Sequence, residues 1–362
     1  MTEQTASVVI VGAGGTIGSH LVAHIARLPH VRRLVLIDPG VYEEKNLVSQ
    51  DIRRSDVGRN KARVSSRRAA EIRSALEIET IPLPVEAIAL GRLRATVLAA
   101  CLDSLGARQT VNEAAWRLGI PWVDAGVHAD GSLVRVNTYE PGEDNPCLEC
   151  AWDRRQYTQL GQKRPCEHDP AEAPPTGATS ALGALAASLQ ALEIGKILEA
   201  GSGGRLVGRQ VVVDAENNSL RVTSFRRNPR CQRDDHAPWP ILPLERSPRE
   251  LNLAELFSID GGTYDRLAVA GSPFVLCLVC PKCGKRRKVD RLARTLRGAP
   301  RRCRPCKRDL VAIGDDVVDW LVEKSLDRRL ASLPIDRLGF DIGDVLTLRS
   351  DDGDVHYEIA GA

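Results

Sequence analysis

The chain opens on a β-branched apolar run, Ser7 to Val11, crosses Gly12-Ala13-Gly14-Gly15-Thr16-Ile17-Gly18, and enters an amphipathic stretch from Ser19 to Leu28. A continuous apolar run followed by glycines and then a helical period predicts strand, tight turn and helix. A second apolar run, Leu34 to Ile37, ends at Asp38. Further runs near Thr96 to Leu102 and Pro121 to Asp124 alternate with helical patterns over Lys61 to Leu76 and Gly106 to Leu118. Strands alternating with helices predict an α/β domain built on a doubly wound, largely parallel sheet.

The pattern changes after Cys150. Residues 151–178 read as a crossover loop, with an exposed Pro- and Gln-containing stretch from Gln156 to Pro175. A helix is predicted over Thr179 to Leu198, then strands at Gln210 to Val213 and Leu220 to Phe225. Pro-rich residues 237–250 read as a linker separating a first domain, 1–236, from a second, 251–362. The second should contain a helix around Asp316 to Lys324 and a terminal hairpin, Val345 to Arg349 and Val355 to Ile359, turning at Asp351-Asp352-Gly353.

Composition narrows the class. No basic segment precedes the first apolar run and no stretch is expected to span a membrane, so a cytoplasmic protein is expected. Ten cysteines in such a chain point to metal rather than to disulfides. A net charge of +3 over 362 residues gives no reason to expect a nucleic-acid partner. Basic residues do gather at Lys282, Lys285 to Lys288, Arg301, Arg302, Arg304, Lys307 and Arg308, where a solvated face and a site for an acidic partner are both open readings.

Cysteine spacing carries more. Cys280-x-x-Cys283 and Cys303-x-x-Cys306 have the form of two knuckles closing one structural zinc ribbon, with no coordination position left for catalysis. Cys147-x-x-Cys150 is a further knuckle. Cys166 and Cys231 stand alone, while Cys101 and Cys277 fall inside apolar runs and read as core residues.

A glycine turn after a first strand lets the backbone approach phosphates, but its spacing alone fits two groups of nucleotide-binding proteins. A dehydrogenase reading also requires Tyr-x-x-x-Lys, which the chain lacks. The series Asp38, Asn46-Leu47-Val48-Ser49-Gln50, Asp56-Val57-Gly58-Arg59-Asn60-Lys61-Ala62 and Asp103 to Arg108 resembles the ThiF/MoeB family of ubiquitin-activating-like adenylyltransferases over roughly residues 5–236. The resemblance implies a Rossmann-like ThiF-type adenylation domain, followed here by the zinc-ribbon and β-hairpin unit. It implies ATP at Gly12, Gly14 and Gly15, with Asp38 on the ribose, Asn46, Gln50 and Lys61 toward the phosphates, and Asp103 holding Mg²⁺. Those residue types suit a reaction that gathers negative charge at a phosphate. The family arginine before the glutamine is Ser49 here, with Arg53 and Arg54 as possible substitutes.

The same resemblance implies a second structural zinc, held by Cys147, Cys150, Cys231 and His236, with Asp234 the other option for the fourth ligand. It also implies an acyl-accepting cysteine in the crossover loop. Cys166 fills that place, with Lys163, Arg164 and His168 beside it to favour the thiolate. The implied function is ATP-dependent activation of the C-terminus of a ubiquitin-like protein, thioester formation on Cys166, and transfer to a conjugating enzyme or acceptor, by a homodimer. Sulfur-carrier adenylylation, activation of a small carboxylate on tRNA, and a non-catalytic scaffold are the alternatives. The zinc ribbon would recruit the modifier or the acceptor.

Overall fold

A computed structural model describes residues 5–128, 132–161, 178–200, 208–233, 236–296 and 301–361. It separates into two compact units, one running to Val85 and resuming over Arg94–Pro238, the other made of Glu86–Leu93 and Trp239–Ala362.

The first unit is an eight-stranded sheet. Strands β1 (Ala6–Val11), β2 (Val31–Ile37), β3 (Glu77–Ile81), β4 (Val97–Ala100) and β5 (Trp122–Val127) run parallel, and β6 (Leu133–Tyr139), β7 (Arg209–Asp214) and β8 (Ser219–Ser224) continue it antiparallel, in the order β3-β2-β1-β4-β5-β6-β7-β8. Val8, Val9 and Ile10 are fully buried because β1 lies centrally and both sheet faces are covered. The chain winds outward from β1 in both directions, so the crevice beyond the carboxyl ends of β1 and β4 is the topological switch point where such sheets bind ligands.

Helices α1 (Gly18–Ile25), α2 (Lys61–Ile72), α3 (Leu105–Leu118), α4 (Arg154–Gly161) and α5 (Ser180–Ala200) complete this unit. Local chemistry sets their ends. The Ser104 hydroxyl accepts from the Ala107 N–H to start α3, and Gly119, at φ 68°, ends it. Contrary to the expectation that no segment could span a membrane, Ser180–Glu199 is long and apolar enough to do so by length and composition. Here Leu182, Ala186, Ala187, Ala191 and Ile194 of that helix pack in the core with β1 and β5 residues.

The second unit holds a five-stranded sheet, β14 (Leu321–Val322), β10 (Arg266–Val269), β15 (Val345–Ser350), β16 (Gly353–Ile359) and β9 (Ile241–Leu244), and a three-stranded one, β12 (Arg286–Leu292), β11 (Phe274–Val279) and β13 (Val317–Val318). The expected hairpin is β15 and β16. Two local expectations are overturned. The 237–250 stretch is not only a linker, because Ile241–Leu244 pairs in parallel with His356–Ile359; a proline is tolerated there since β9 is an edge strand. The helix over 316–324 is absent. Val317, Val318, Leu321 and Val322 have helical spacing, but three of the four are β-branched and all are taken up as strand edges against β11 and β10, and so short a helix gains little alone.

Candidate functional site

The glycine turn is shaped by what crowds it. Gly12 has φ +82°, and a Cβ there would lie 2.4 Å from the Cys101 carbonyl oxygen at the end of β4. A Cβ on Gly14 would meet the Lys61 Cβ at 2.3 Å and the Tyr42 hydroxyl at 2.8 Å. Any side chain would therefore push strand, turn and α2 apart. Gly15 differs, since a Cβ would meet nothing closer than 3.5 Å. Gly18 was not among the expected nucleotide contacts, yet a Cβ on it would sit 2.0 Å from the Gly12 carbonyl oxygen, so it keeps the turn closed.

Asp38, buried at the end of β2, accepts from the Gly14 N–H through Oδ2 and from the Gly40 N–H through Oδ1, each at 2.9 Å. It thus holds the turn and the following loop in place. Asn60 caps α2, accepting from the Arg63 N–H at 3.1 Å, while its amide donates to the Gly40 carbonyl at 3.0 Å. These contacts set Lys61, the first residue of α2, beside the turn, its Nζ 5.4 Å from the Tyr42 ring centroid. Burial lowers the Lys61 pKa, while the carboxylates of Asp38 and Asp103 pull it back toward the charged form. Asp103 is exposed, just past β4. Tyr42 is buried, which raises the pKa of its hydroxyl.

Within the 44–50 segment, Asn46 is the residue expected to meet phosphates. Asn46 Oδ1 accepts from the Glu43 N–H at 2.8 Å, so that oxygen organises its own turn and only the amide hydrogens remain for a ligand. Gln50 Oε1 is shielded from solvent with no hydrogen-bond partner among the described residues. An orphaned acceptor oxygen at this place is what a hydroxyl or N–H donor of a ligand would satisfy. Arg54 is paired with Glu44 at 3.1 Å, whereas Arg53 lines a small cavity with Asp51, Asp56, Arg59, Arg67 and Arg68. Arg108 pairs with the fully buried Asp124 at 3.1 Å and donates to the Leu102 carbonyl, bracing the β4 end. Sequence reasoning gave no role to Tyr42 or Asn60. The signal for Asn60 was available, an Asn directly before a helical run; Tyr42 could be found only from its packing.

Cys147, Cys150, Cys231 and His236 place their ligand atoms within 4.8 Å of one another. Cys147 Sγ is 3.8 Å from both Cys150 Sγ and Cys231 Sγ, and Cys150 Sγ is 3.9 Å from His236 Nε2. Tetrahedral zinc with bonds of about 2.3 Å to sulfur puts its sulfurs roughly 3.8 Å apart, so the set fits the metal. His236 Nδ1 lies 3.2 Å from the Asn145 carbonyl oxygen, which can only accept, so Nδ1 carries the proton and Nε2 is free to ligate. The cluster is anchored to α3: Asn112 Oδ1 accepts from the Leu148 N–H, and buried Glu149 accepts from Gln109 and Asn112. Hydrogen bonding among the sulfurs raises the pKa of Cys147 and lowers that of Cys150. Asp234 lies outside the described residues.

Cys280, Cys283, Cys303 and Cys306 form the other cluster, with Cys283 Sγ 3.6 Å from Cys303 Sγ. The two knuckles have matching backbones. The Gly284 N–H donates to the Cys280 carbonyl and the Lys307 N–H to the Cys303 carbonyl, and both residues have positive φ, 68° and 57°. Cys101 is buried and its Sγ is 3.2 Å from Gln190 Oε1; burial raises its pKa, which makes it inert. Cys166 lies outside the described residues.

The ThiF family model matches residues 3–233, and the chain belongs to that family. The sulfur carrier protein adenylyltransferase of Thermus thermophilus is 32% identical over 257 residues, covering 70% of this chain and 88% of that protein. The adenylyltransferase and sulfurtransferase MOCS3 of Sus scrofa is 30% identical over 298 residues, covering 77% of this chain but only 61% of its own length. Among solved structures, Escherichia coli MccB with ATP aligns with a TM-score of 0.51 at 22% identity, over 63% of this chain and 66% of that one, a likeness of fold.

Proposed function

We propose that this ThiF-family chain binds ATP in the crevice beyond β1 and β4 and adenylates the C-terminal carboxylate of a small ubiquitin-like or sulfur-carrier protein. The carboxylate oxygen attacks the α-phosphorus, the bond to the bridging oxygen of the β-phosphate breaks, and pyrophosphate leaves. The observation that carries the reading is Lys61, part-buried against Gly14 and Tyr42 and drawn to Asp38 and Asp103. A cation held there, in a site of low dielectric, stabilises charge growing on the phosphates. A magnesium ion on Asp103 would offset the charge of the departing pyrophosphate. Gln50, with its unpartnered Oε1, and Arg53 complete the set expected to meet the nucleotide.

In the second stage the Cys166 thiolate attacks the acyl carbon, AMP leaves, and the thioester passes to a conjugating enzyme or acceptor. Lys163, Arg164 and His168 support the thiolate by their charge and proximity in sequence. Two clusters that need reduced thiols support placing the reaction in the cytoplasm, and a homodimer is the proposed working form. A second reading, activation of a sulfur carrier without a thioester on Cys166, is favoured by the names of the relatives from Thermus thermophilus and Sus scrofa.

The test is exchange of radiolabelled pyrophosphate into ATP with a carrier protein ending in Gly-Gly, read beside gels with and without reductant. Lys61→Ala should lower exchange about 100-fold, the size expected for loss of one transition-state donor. Exchange that survives Lys61→Ala and Asp103→Ala together rejects the site. A reductant-sensitive adduct lost in Cys166→Ala but kept in Cys101→Ala supports the thioester, and unchanged exchange with no adduct supports the second reading.

A further inference from the structure

Two arginines share one carboxylate beside the crevice. Asp124 of β5 is fully buried; Arg108 Nε lies 3.1 Å from its Oδ1, and Arg135 Nη2, from β6, donates to its Oδ2 at 3.0 Å. One guanidinium is enough to neutralise a buried carboxylate, and Arg108 is the better buried of the two, its side chain 14% exposed against 35% for Arg135. Arg135 therefore brings a surplus charge to the cluster. Its neighbours on the same sheet face are already engaged. Asn137, opposite Asp124, accepts from Gln210 and donates to the Tyr139 hydroxyl, each at 2.9 Å. Asp214, diagonal to Arg135 on β7, accepts from the Glu216 and Asn217 N–H groups of its own turn.

Strand register places that surplus charge. Ala100 of β4 pairs with Asp124, and Gly126 pairs with Arg135, so Gly126 and Arg135 stand level with Leu102, one residue before Asp103. The Arg135 guanidinium is laid across β5. The point that a Cβ on Gly126 would occupy is 3.4 Å from Arg135 Nη2 and 3.1 Å from Arg108 Nη2, so a glycine here lets both cations reach the crevice wall. β5 is two strands from β1, about 10 Å at the usual strand spacing. The pair thus lies on the far side of β4 and Asp103 from the glycine turn, and an anion held by Arg135 is a different one from the phosphates held at the turn.

We propose that Arg135 binds the acyl substrate, gripping the terminal carboxylate of the incoming protein tail before it attacks ATP. This rests on the adenylation reading and adds to it the group that recognises the second substrate. A guanidinium carries five N–H donors in a fork that matches a carboxylate, and Asp124 takes only one from Arg135, so the rest are left for a ligand. Two guanidiniums around one carboxylate leave one positive charge, which favours a charged tail end over a neutral one. Asp124 is the positioning residue, since its contact fixes the plane of the Arg135 fork. Adenylation removes the carboxylate's charge, so this grip belongs to the ground state and should be felt in KM more than in kcat.

The full-length, zinc-loaded protein is titrated by calorimetry, without ATP, against a sulfur-carrier protein ending in Gly-Gly and against the same protein bearing a C-terminal amide. The acid should bind about tenfold more tightly than the amide, the size of one charge-assisted hydrogen bond. Arg135→Gln leaves Asp124 paired with Arg108. It should shrink the preference to within about twofold and raise the carrier's KM in pyrophosphate exchange about tenfold, with the KM for ATP within about twofold of wild type. Arg221→Gln, at an exposed arginine of β8, should change none of these. A loss of structure would weaken acid and amide alike, so their ratio separates a substrate contact from a brace; if Arg135→Gln does not fold, Arg135→Lys carries the test with a smaller loss of the same sign. No preference for the acid in the wild type, or a preference that the Arg135 variant keeps, overturns the proposal. A preference that depends on Arg135 in a chain that performs no exchange supports carboxylate binding and overturns the adenylation reading instead.

Discussion

The two cysteine clusters use nearly the same ligands for opposite purposes. The first joins segments more than eighty residues apart, sits buried against α3 and Trp116, and has its imidazole oriented by the Asn145 carbonyl. The second is local, closed by two matched knuckles, partly exposed and ringed by cations. A metal that closes a long loop removes much chain entropy and secures a fold. One that closes a short ribbon mainly shapes a surface. The lesson is that knuckle spacing identifies a metal, whereas burial and the reach of the loop show what the metal is for.

Breaking the first centre should have the largest effect. Structural zinc contributes on the order of 10 kcal/mol of apparent binding free energy, comparable with the whole stability of a domain. Cys147→Ser should therefore lose one zinc per chain, the cooperative melt of the first unit, and pyrophosphate exchange together. Cys280→Ser should also lose one zinc but keep exchange within about twofold of wild type, since every proposed nucleotide contact lies in the first unit. If both variants lose exchange equally, the contrast between the centres fails.

Smaller substitutions sharpen it. Gly14→Ala forces a Cβ onto Lys61 and Tyr42 and should cost about 1–3 kcal/mol of stability as an overpacking defect, with weaker ATP binding by calorimetry. Gly284→Asn should cost less than about 1 kcal/mol and leave zinc content at two per chain, because nothing crowds Gly284 and Lys307 already holds the matching conformation.

The smallest effect expected is on pH. His20 lies 3.3 Å from the Ser180 hydroxyl and 3.6 Å from Asp51, and burial lowers its pKa below 6.5. The unfolded chain then binds the extra proton first. Its contribution is fully present above pH 6.5 and is lost as pH falls through the lowered value. Urea melts of His20→Gln should show a shallower loss of stability below pH 6.5 than wild type, and parallel curves would remove His20 from the account.

Much of the site was legible along the chain because its signals are local. The glycine turn, Asp38, Lys61 and Asp103 sit at the ends of elements whose periods are plain, and four of the cysteines are spaced for one ribbon. The 316–324 and 237–250 segments were misread because strand pairing with β11, β10 and β16 outweighs local pattern, and pairing partners leave no mark on a short sequence. Tyr42 was passed over for a similar reason, since its role comes from a contact with a turn about thirty residues away.

The sequence by itself determined the fold class, the glycine turn, the carboxylates and lysine around it, and the presence of two metal-ligand sets, because periodicity and knuckle spacing are properties of neighbouring residues. Tertiary structure alone decided that Asp38 orders backbone through both carboxylate oxygens, that Asn46 turns its oxygen inward, and that His236 can present Nε2 to three sulfurs. Each depends on distances between residues remote in sequence, and chain order does not encode these until the strands have paired.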